Sequence, residues 1–131
     1  MKNKETKELT KAEEQVMQAV WRVGQGFANE IVAAVNETSG GEVAYNTVLT
    51  VVRILEQKGF ISYEAQGKKH IYYPLIEKGE YTRWTLTEMK DKLFNGSARS
   101  MVNTFIMESG LSDSDVRELI DMLNMLETAK S

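Results

Sequence analysis

The sequence predicts a mainly α-helical protein with one small β-hairpin, and three observations support that fold class. Apolar side chains recur at three- and four-residue intervals over most of the chain, which is the spacing of amphipathic helices. Two short runs rich in β-branched and aromatic residues flank a single turn, which is typical of a hairpin. With 131 residues the chain is long enough for one ordinary domain or for a small domain with a helical extension, and its 42% hydrophobic and 27% charged residues are typical of a globular protein.

The first helix is predicted to begin after Thr10 and to end at Gly24 and Gly26. Thr10 and Glu13 have the spacing of a capping box, in which each side chain accepts a hydrogen bond from a free amide at the helix start. Glycine commonly follows the last turn of a helix. The side of this helix that we expect to be buried carries Ala12, Val16, Met17, Val20, Trp21 and Val23.

Two shorter helices are predicted next. The four-residue repeat of Phe27, Ile31 and Val35 predicts the second helix. A third helix is predicted over about residues 44–58, and Gly59 ends it. The side chains of the third helix that we expect to point inward are Val48, Val51, Val52 and Leu55.

A β-hairpin is predicted at residues 60–75. Residues 60–64 and 69–75 are rich in β-formers, and the four residues between them indicate a turn. Pro74 has no amide hydrogen to donate to a sheet, so we expect it near the end of the second strand.

Helical periodicity returns after the hairpin. Ser112 and Asp115 resemble a second capping box. We therefore divide the chain into residues 1–79, with three helices and the hairpin, and residues 80–131, with helices alone. The helices of the second part are predicted at about 80–94, 97–108 and 112–127, with breaks at Asn95-Gly96 and Gly110.

The outer face of the third helix carries polar side chains that can read bases in the major groove of DNA. Arg can bind guanine with two hydrogen bonds, Asn can bind adenine in the same way, and a Thr methyl group can contact thymine. Any exposed helix carries polar residues, but this one occupies the place of the recognition helix in a helix-turn-helix with a β-wing. The candidate DNA-binding residues of the helix are Tyr45, Asn46, Thr47, Thr50 and Arg53.

Three lysines are candidates for phosphate contacts. Lys68 and Lys69 lie at the tip of the hairpin, where a wing meets the DNA backbone or minor groove, although a charged tip is also common for solvation alone. Lys11 lies near the start of the first helix. Net charge is −3, but residues 1–79 hold ten basic and ten acidic side chains, so the acidity lies in the second part.

The second part carries more apolar surface than three short helices can bury among themselves. Most soluble oligomers are symmetric homo-oligomers, so a second copy of the chain is the simplest partner, and a bundle folded back within one chain is the alternative. The candidate dimerisation residues are Trp84, Met101, Phe105, Leu119, Ile120, Leu123 and Leu126.

Composition and motifs exclude several other classes. The chain has no cysteine and one histidine, so neither a thiolate metal site nor a disulfide can form, and no metal or cofactor is expected. The sequence shows neither a phosphate-binding glycine loop nor a nucleophile beside a base, so an enzyme is not expected. The sequence has neither a signal peptide nor a run of eighteen apolar residues, so we expect a cytoplasmic protein that does not insert into membranes.

Over nearly its whole length the chain resembles the penicillinase-repressor family of bacterial winged-helix regulators. The matching segments are residues 9–17 (LTKAEEQVM) with Trp21, residues 45–50 (YNTVLT) running to Arg53 and Leu55, residues 58–60 (KGF) and residues 72–75 (YYPL). The resemblance implies an N-terminal winged helix, a C-terminal helical dimerisation region, and repression by a dimer bound to a palindromic operator in double-stranded promoter DNA. It also places DNA contacts on the five third-helix residues named above and near Lys68 and Lys69.

The branches of the family differ in how repression is relieved. The copper-responsive branch ends in a cysteine cluster, which this chain lacks, so copper sensing is not expected. The β-lactam-responsive branch is cut in its dimerisation region, after an Asn that precedes Phe, in a pathway with a membrane-sensor metalloprotease. The corresponding step here is Thr104–Phe105, with Asn103 one residue earlier.

Two other functions fit the same residues. A winged helix can serve as a protein-interaction module, and the acidic net charge suits that use. Alternatively, the protein is a regulator that senses a small ligand held between its two parts, with Trp84 and the methionines lining the pocket.

Overall fold

The computed structural model describes residues 8–130, which form six helices and a three-stranded sheet. The chain divides into two compact units, with the boundary between Arg83 and Trp84. In chain order the elements are α1 (Lys11–Val23), β1 (Gly26–Phe27), α2 (Ala28–Thr38), α3 (Tyr45–Gln57), β2 (Ile61–Gln66), β3 (Lys69–Pro74), α4 (Lys78–Phe94), α5 (Ala98–Glu108) and α6 (Asp113–Lys130).

The predicted capping box at the start of α1 is confirmed. The Thr10 hydroxyl accepts a hydrogen bond from the Glu13 amide at 3.2 Å, and the Glu13 carboxylate accepts one from the Thr10 amide at 2.9 Å. Gly24 follows the helix at a φ of 84°, a conformation that favours glycine.

The core of the first unit lies between α1, α2, α3 and the sheet. Fourteen hydrophobic residues are buried there, and each large side chain that is fully buried stabilises the fold by roughly 1.5–3 kcal/mol. One expectation was wrong, because Ala12 is exposed, whereas Trp21, Val23 and Val51 are half-buried and pack against this core. The largest fully buried side chains are Phe60, Met17, Ile31, Leu55, Ile61 and Ile76.

The sheet has one strand more than the sequence predicts. Phe27 does not belong to α2 but to the two-residue strand β1, which pairs antiparallel with β3 through Gly26↔Tyr72 and Phe27↔Ile71. The Glu30 carboxylate accepts a hydrogen bond from the Phe27 amide at 2.8 Å and so marks the change from strand to helix. A Cβ at position 26 would lie 2.8 Å from Val23 Cγ1 and 2.9 Å from Glu30 Oε1, so a larger residue there would displace one of these side chains.

The hairpin is tighter than the sequence predicts. Gln66 and Lys69 are paired, so only Gly67 and Lys68 form the loop, and Gly67 has a φ of 61°. Pro74 is the last residue of β3, as predicted, and lies opposite Ile61.

The second unit consists of the C-terminal part of α4 with α5 and α6. Its predicted breaks are confirmed, because Asn95, Gly96 and Gly110 all adopt positive φ. Ser112 and Asp115 exchange hydrogen bonds between side chain and amide at the start of α6. None of residues 84–129 is buried. In the part of the chain that the structure describes, no helix is both long and apolar enough to cross a membrane.

Candidate nucleic-acid interface

One side of the first unit carries an open groove of about 620 Å³ between α3 and the β2–β3 hairpin. The start of α2 and the end of β1 close one of its sides. The residues that line it are Phe27, Ala28, Asn29, Tyr45, Leu49, Arg53, Glu56, Tyr63, Lys68, Lys69, His70 and Tyr72.

The groove is mainly cationic. Arg53 from α3 and Lys68 and Lys69 from the hairpin all line it, and Glu56 is the one carboxylate among its lining residues. The Lys69 ammonium lies 5.5 Å from the centroid of the Phe27 ring, a cation–π contact that holds the charge beside β1. A surface of this kind attracts a polyanion.

Aromatic rings form the hairpin side of the groove. Tyr63 and His70 stack with their centroids 4.0 Å apart and their planes at 12°. Tyr63 is also the cross-strand partner of Tyr72, which is buried. Burial raises the pKa of the Tyr72 hydroxyl, and the charge of nearby Glu56 raises it further. Tyr72 therefore stays neutral at physiological pH and can donate a hydrogen bond.

The outer face of α3 presents Asn46, Thr47 and Thr50 to solvent, outside the groove lining. The Thr50 hydroxyl donates to the Asn46 carbonyl oxygen at 2.8 Å, which leaves its methyl group and the lone pairs of its oxygen for a partner. Ala44 caps α3 without a side-chain hydrogen bond, which leaves first-turn amides for an anion such as a phosphate.

An ion pair between half-buried Lys58 and buried Glu13 links the end of α3 to α1. The Lys58 ammonium, just after α3, donates to the Glu13 carboxylate at 2.6 Å and to the Glu8 carbonyl oxygen at 3.1 Å. Burial alone raises the pKa of Glu13, but the hydrogen bonds from Lys58 and Thr10 and the charge of Lys58 outweigh it, so the pKa is lowered. Glu13 is therefore ionised at physiological pH and holds the end of α3 in place.

The structure brings together four of the eight predicted DNA-binding residues in the groove: Tyr45, Arg53, Lys68 and Lys69. Lys11 is exposed at the first residue of α1 and does not line the groove. That these residues contact DNA stays a prediction.

Sequence reasoning placed none of Phe27, Asn29 and Tyr63 at the groove. Side chains alternate between the two faces of a strand, so the sequence places Tyr63 on one face of the hairpin. Only the pairing of Tyr63 with Tyr72 across the strands shows that this face lies at the groove. No local signal marks Phe27 and Asn29, because they reach the groove through the pairing of β1 with β3.

In the second unit, the predicted dimerisation residues fall into two groups. Phe105, Ile120, Leu123 and Leu126 are exposed, and Trp84, Met101 and Leu119 are half-buried. The candidate cleavage step Thr104–Phe105 lies within α5, and both of its residues are exposed. Proteolysis there requires the helix to open locally, because helical amides are engaged in backbone hydrogen bonds.

Three helices whose third member is followed by a β-wing, with cations on both, form a winged helix-turn-helix, the architecture of a large class of DNA-binding regulators. The sequence profile of the penicillinase repressor family matches residues 9–125, and the chain belongs to this family. The predicted family, the winged-helix fold class and the repressor interpretation are thereby confirmed.

Named relatives agree with this assignment. The methicillin resistance regulatory protein MecI of Staphylococcus aureus is 30% identical over 124 residues, which are 95% of this chain and 98% of MecI. The penicillinase repressor of Bacillus licheniformis is 26% identical over 120 residues, 92% of each chain.

Solved structures match the fold. The DNA-binding domain of the repressor BlaI has a TM-score of 0.51 and 26% identity, and the match covers 62% of this chain and 94% of that domain. RosR from H. salinarum has a TM-score of 0.51 at 15% identity, over 95% of this chain and 97% of that one, and supports the fold alone.

Proposed function

We propose that this protein is a cytoplasmic, homodimeric transcriptional repressor that binds a palindromic operator in promoter DNA. The single observation that carries the proposal is the cationic groove between α3 and the wing, in a chain that belongs to a family of repressors. The first unit reads DNA and the second unit joins two copies.

In this proposal α3 enters the major groove. Arg53 binds guanine, Asn46 binds adenine and Thr50 contacts a thymine methyl group, as these side chains commonly do. Lys68 and Lys69 contact phosphates beside the major groove, and Tyr45 and Thr47 contact the backbone at the start of α3. Lys11 makes a more distant phosphate contact.

The dimer is supported by the apolar surface of the second unit. Helices in a soluble protein rarely expose many large apolar side chains unless a partner covers them. The exposed large apolar residues of this unit are Leu86, Met89, Leu93, Val102, Phe105, Met107, Ile120, Met122, Leu123, Met125 and Leu126.

Repression and its relief both follow from the dimer. Each winged-helix unit would bind one half of the palindrome. Joining two of them raises the affinity for the whole palindrome by roughly 10²- to 10⁴-fold, because the second unit is held at a high effective concentration beside its half-site. Bound to a promoter, the dimer blocks RNA polymerase. Loss of the second unit, by cleavage at Thr104–Phe105 in a pathway with a membrane-sensor metalloprotease, then releases the operator.

The proposal is tested by titrating the protein against its own upstream DNA and against a scrambled duplex, with fluorescence anisotropy at two salt concentrations. The expected result is tight, sequence-selective binding that fits two subunits per site and weakens with salt. Equally weak binding to both duplexes would instead favour a protein-interaction module.

A further inference from the structure

One buried polar group beside the groove between α3 and the hairpin has no hydrogen-bond partner. Tyr72 is only 7% exposed, and it lines the groove. Within residues 8–129, its hydroxyl takes part in no hydrogen bond. The charges of Glu56 and Arg53 act on this hydroxyl, and both residues line the groove, so the hydroxyl lies at the groove and not inside the core. A ligand that accepts a hydrogen bond from it would complete an arrangement that the free protein leaves open.

Aromatic rings give the same groove apolar walls. Among residues 8–83, four large hydrophobic side chains are exposed, and two of them line the groove: Tyr45, which is 47% exposed, and Tyr63, which is 41% exposed. Stacking on His70 holds the Tyr63 ring in position, and Phe27 adds a ring from the end of β1. These side chains offer a surface on which a flat apolar group can pack.

Duplex DNA matches only the charges of this groove. Its phosphates can pair with the cations, but its bases are stacked and paired inside the double helix, so their ring faces cannot pack on Tyr45 or Tyr63. A small aromatic carboxylate matches both features, because its ring packs on the aromatic walls while its carboxylate binds Arg53 and accepts a hydrogen bond from Tyr72. The groove volume of about 620 Å³ is in the range of small-molecule sites.

We propose that this groove is also an effector site, which binds a small aromatic carboxylate in competition with operator DNA. The competition depends on Arg53, because a guanidinium group that holds the carboxylate cannot also bind guanine. Lys68 and Lys69 raise the positive potential that attracts the effector. The inference rests on the proposed function, since the effector acts by displacing the operator.

Competition of this kind has a defined dependence on concentration. The effector binds only the DNA-free protein, so the apparent dissociation constant for the operator should rise in proportion to effector concentration. It should increase by about tenfold or more when the effector is present at about ten times its own dissociation constant. One effector molecule should bind per subunit, because each first unit contains one such groove.

The test uses 2-naphthoate as the probe with the full chain. Calorimetry measures its binding in the absence of DNA, and anisotropy measures its effect on operator affinity at constant ionic strength. We expect naphthoate to bind and to displace the operator, whereas 2-naphthamide, which has the same rings without the charge, and acetate, which has the charge without the rings, should do neither. Binding of the amide or of acetate as tight as that of naphthoate would overturn the inference.

Matched tyrosine variants locate the site. Tyr72→Phe should bind naphthoate about tenfold more weakly or worse, because a hydrogen bond to a charged group is lost. Tyr73→Phe is the control, since Tyr73 follows Tyr72 in β3 but does not line the groove, and it should bind naphthoate normally. Tyr63→Ala removes an exposed ring and should also weaken binding, so the test does not depend on the fold of one variant. Unchanged naphthoate binding in folded Tyr72→Phe or in Tyr63→Ala would overturn the inference.

Failure of this inference can be distinguished from failure of the proposed function. A chain that shows no preference for its operator over a scrambled duplex, with naphthoate absent, would overturn the proposed repressor and the competition with it. A chain that binds its operator selectively, but does not bind naphthoate or binds naphthoate and operator together, would overturn only the inference.

Discussion

The two units of the chain place their apolar residues in opposite ways. Among residues 8–129, all fourteen buried hydrophobic residues lie between Val16 and Ile76, in the first unit. The second unit buries none of residues 84–129 and exposes eleven large apolar side chains instead. Since both units are similarly rich in apolar residues, composition does not explain the difference.

This contrast indicates a division of labour. The first unit is complete by itself, because its three helices and sheet bury one core and leave a polar, cationic groove outside. The second unit lacks a core within one chain, and a second copy would supply it. In the proposed repressor, recognition thus belongs to one unit and affinity for a two-fold site to the other.

The largest effect is expected from charges on the apolar side of α6. Leu123→Glu with Leu126→Glu should prevent dimerisation and lower operator affinity by roughly 10²- to 10⁴-fold, because the second half-site is no longer bound intramolecularly. Sedimentation and anisotropy measure the two changes. Asn124→Glu with Thr128→Glu adds the same charge to the polar side of α6 and should leave both properties near normal. If Leu123→Glu with Leu126→Glu made the protein monomeric but left full operator affinity, the proposed role of the second unit in DNA binding would be contradicted.

Truncation of one leucine in each unit compares a chain core with a dimer surface. Leu55 is 0% exposed, so Leu55→Ala should lower the free energy of unfolding by about 2–5 kcal/mol at any protein concentration. Leu123→Ala should destabilise the protein only at concentrations where it dimerises, since partner binding adds stability by mass action. Denaturant unfolding at several protein concentrations distinguishes them, and equal, concentration-independent losses would contradict the assignment of Leu123 to a dimer surface.

Within the first unit, base reading and phosphate binding can be separated. Arg53→Ala should cost about 1–3 kcal/mol of operator binding and relax the preference at one base position. Lys68→Ala should weaken binding to all duplexes alike. It should also reduce the slope of log affinity against log salt concentration by about one unit. Anisotropy with operator and random DNA over a salt series measures both. If Arg53→Ala lowered the affinity for random DNA as much as the affinity for the operator, Arg53 would not contact a base specifically.

The smallest expected effect concerns the Glu13–Lys58 pair. Its hydrogen bonds hold the pKa of Glu13 below the ordinary 4.5, so the pair stabilises the folded chain above that pH. This contribution is lost as the pH falls through the lowered pKa. Glu13→Gln should therefore cost about 1 kcal/mol near pH 7 and make stability less sensitive to acid.

Thermal unfolding between pH 7 and pH 3 measures that change. Glu14→Gln is the matched control, because Glu14 is exposed beside Glu13, and it should follow the unsubstituted protein. An acid profile of Glu13→Gln identical to that of the unsubstituted chain would remove the pair from the stabilising contacts.

Features set by nearby residues were predictable from the sequence. The capping boxes at Thr10 and Ser112 depend on side chains three residues apart, and the breaks at Asn95-Gly96 and Gly110 depend on residues that tolerate positive φ. The inward face of α3 followed from helical spacing, except that Val51 lies at its edge.

Features set by distant residues were not predictable. The four-residue repeat that begins at Phe27 is typical of a helix, yet Phe27 pairs with Ile71, which lies 44 positions later. That pairing depends on tertiary structure and brings Phe27 and Asn29 to the groove. In the same way, only the approach of β3 brings Glu56 near Tyr72.

The most direct test of the division between the units compares the affinity of the intact protein for its footprinted operator with that for a duplex in which one arm of the palindrome is scrambled. The account predicts a loss of affinity of roughly 10²- to 10⁴-fold with two subunits still bound, because the joined dimer then contacts DNA through only one of its two winged helices. Equal affinity for the two duplexes would contradict it.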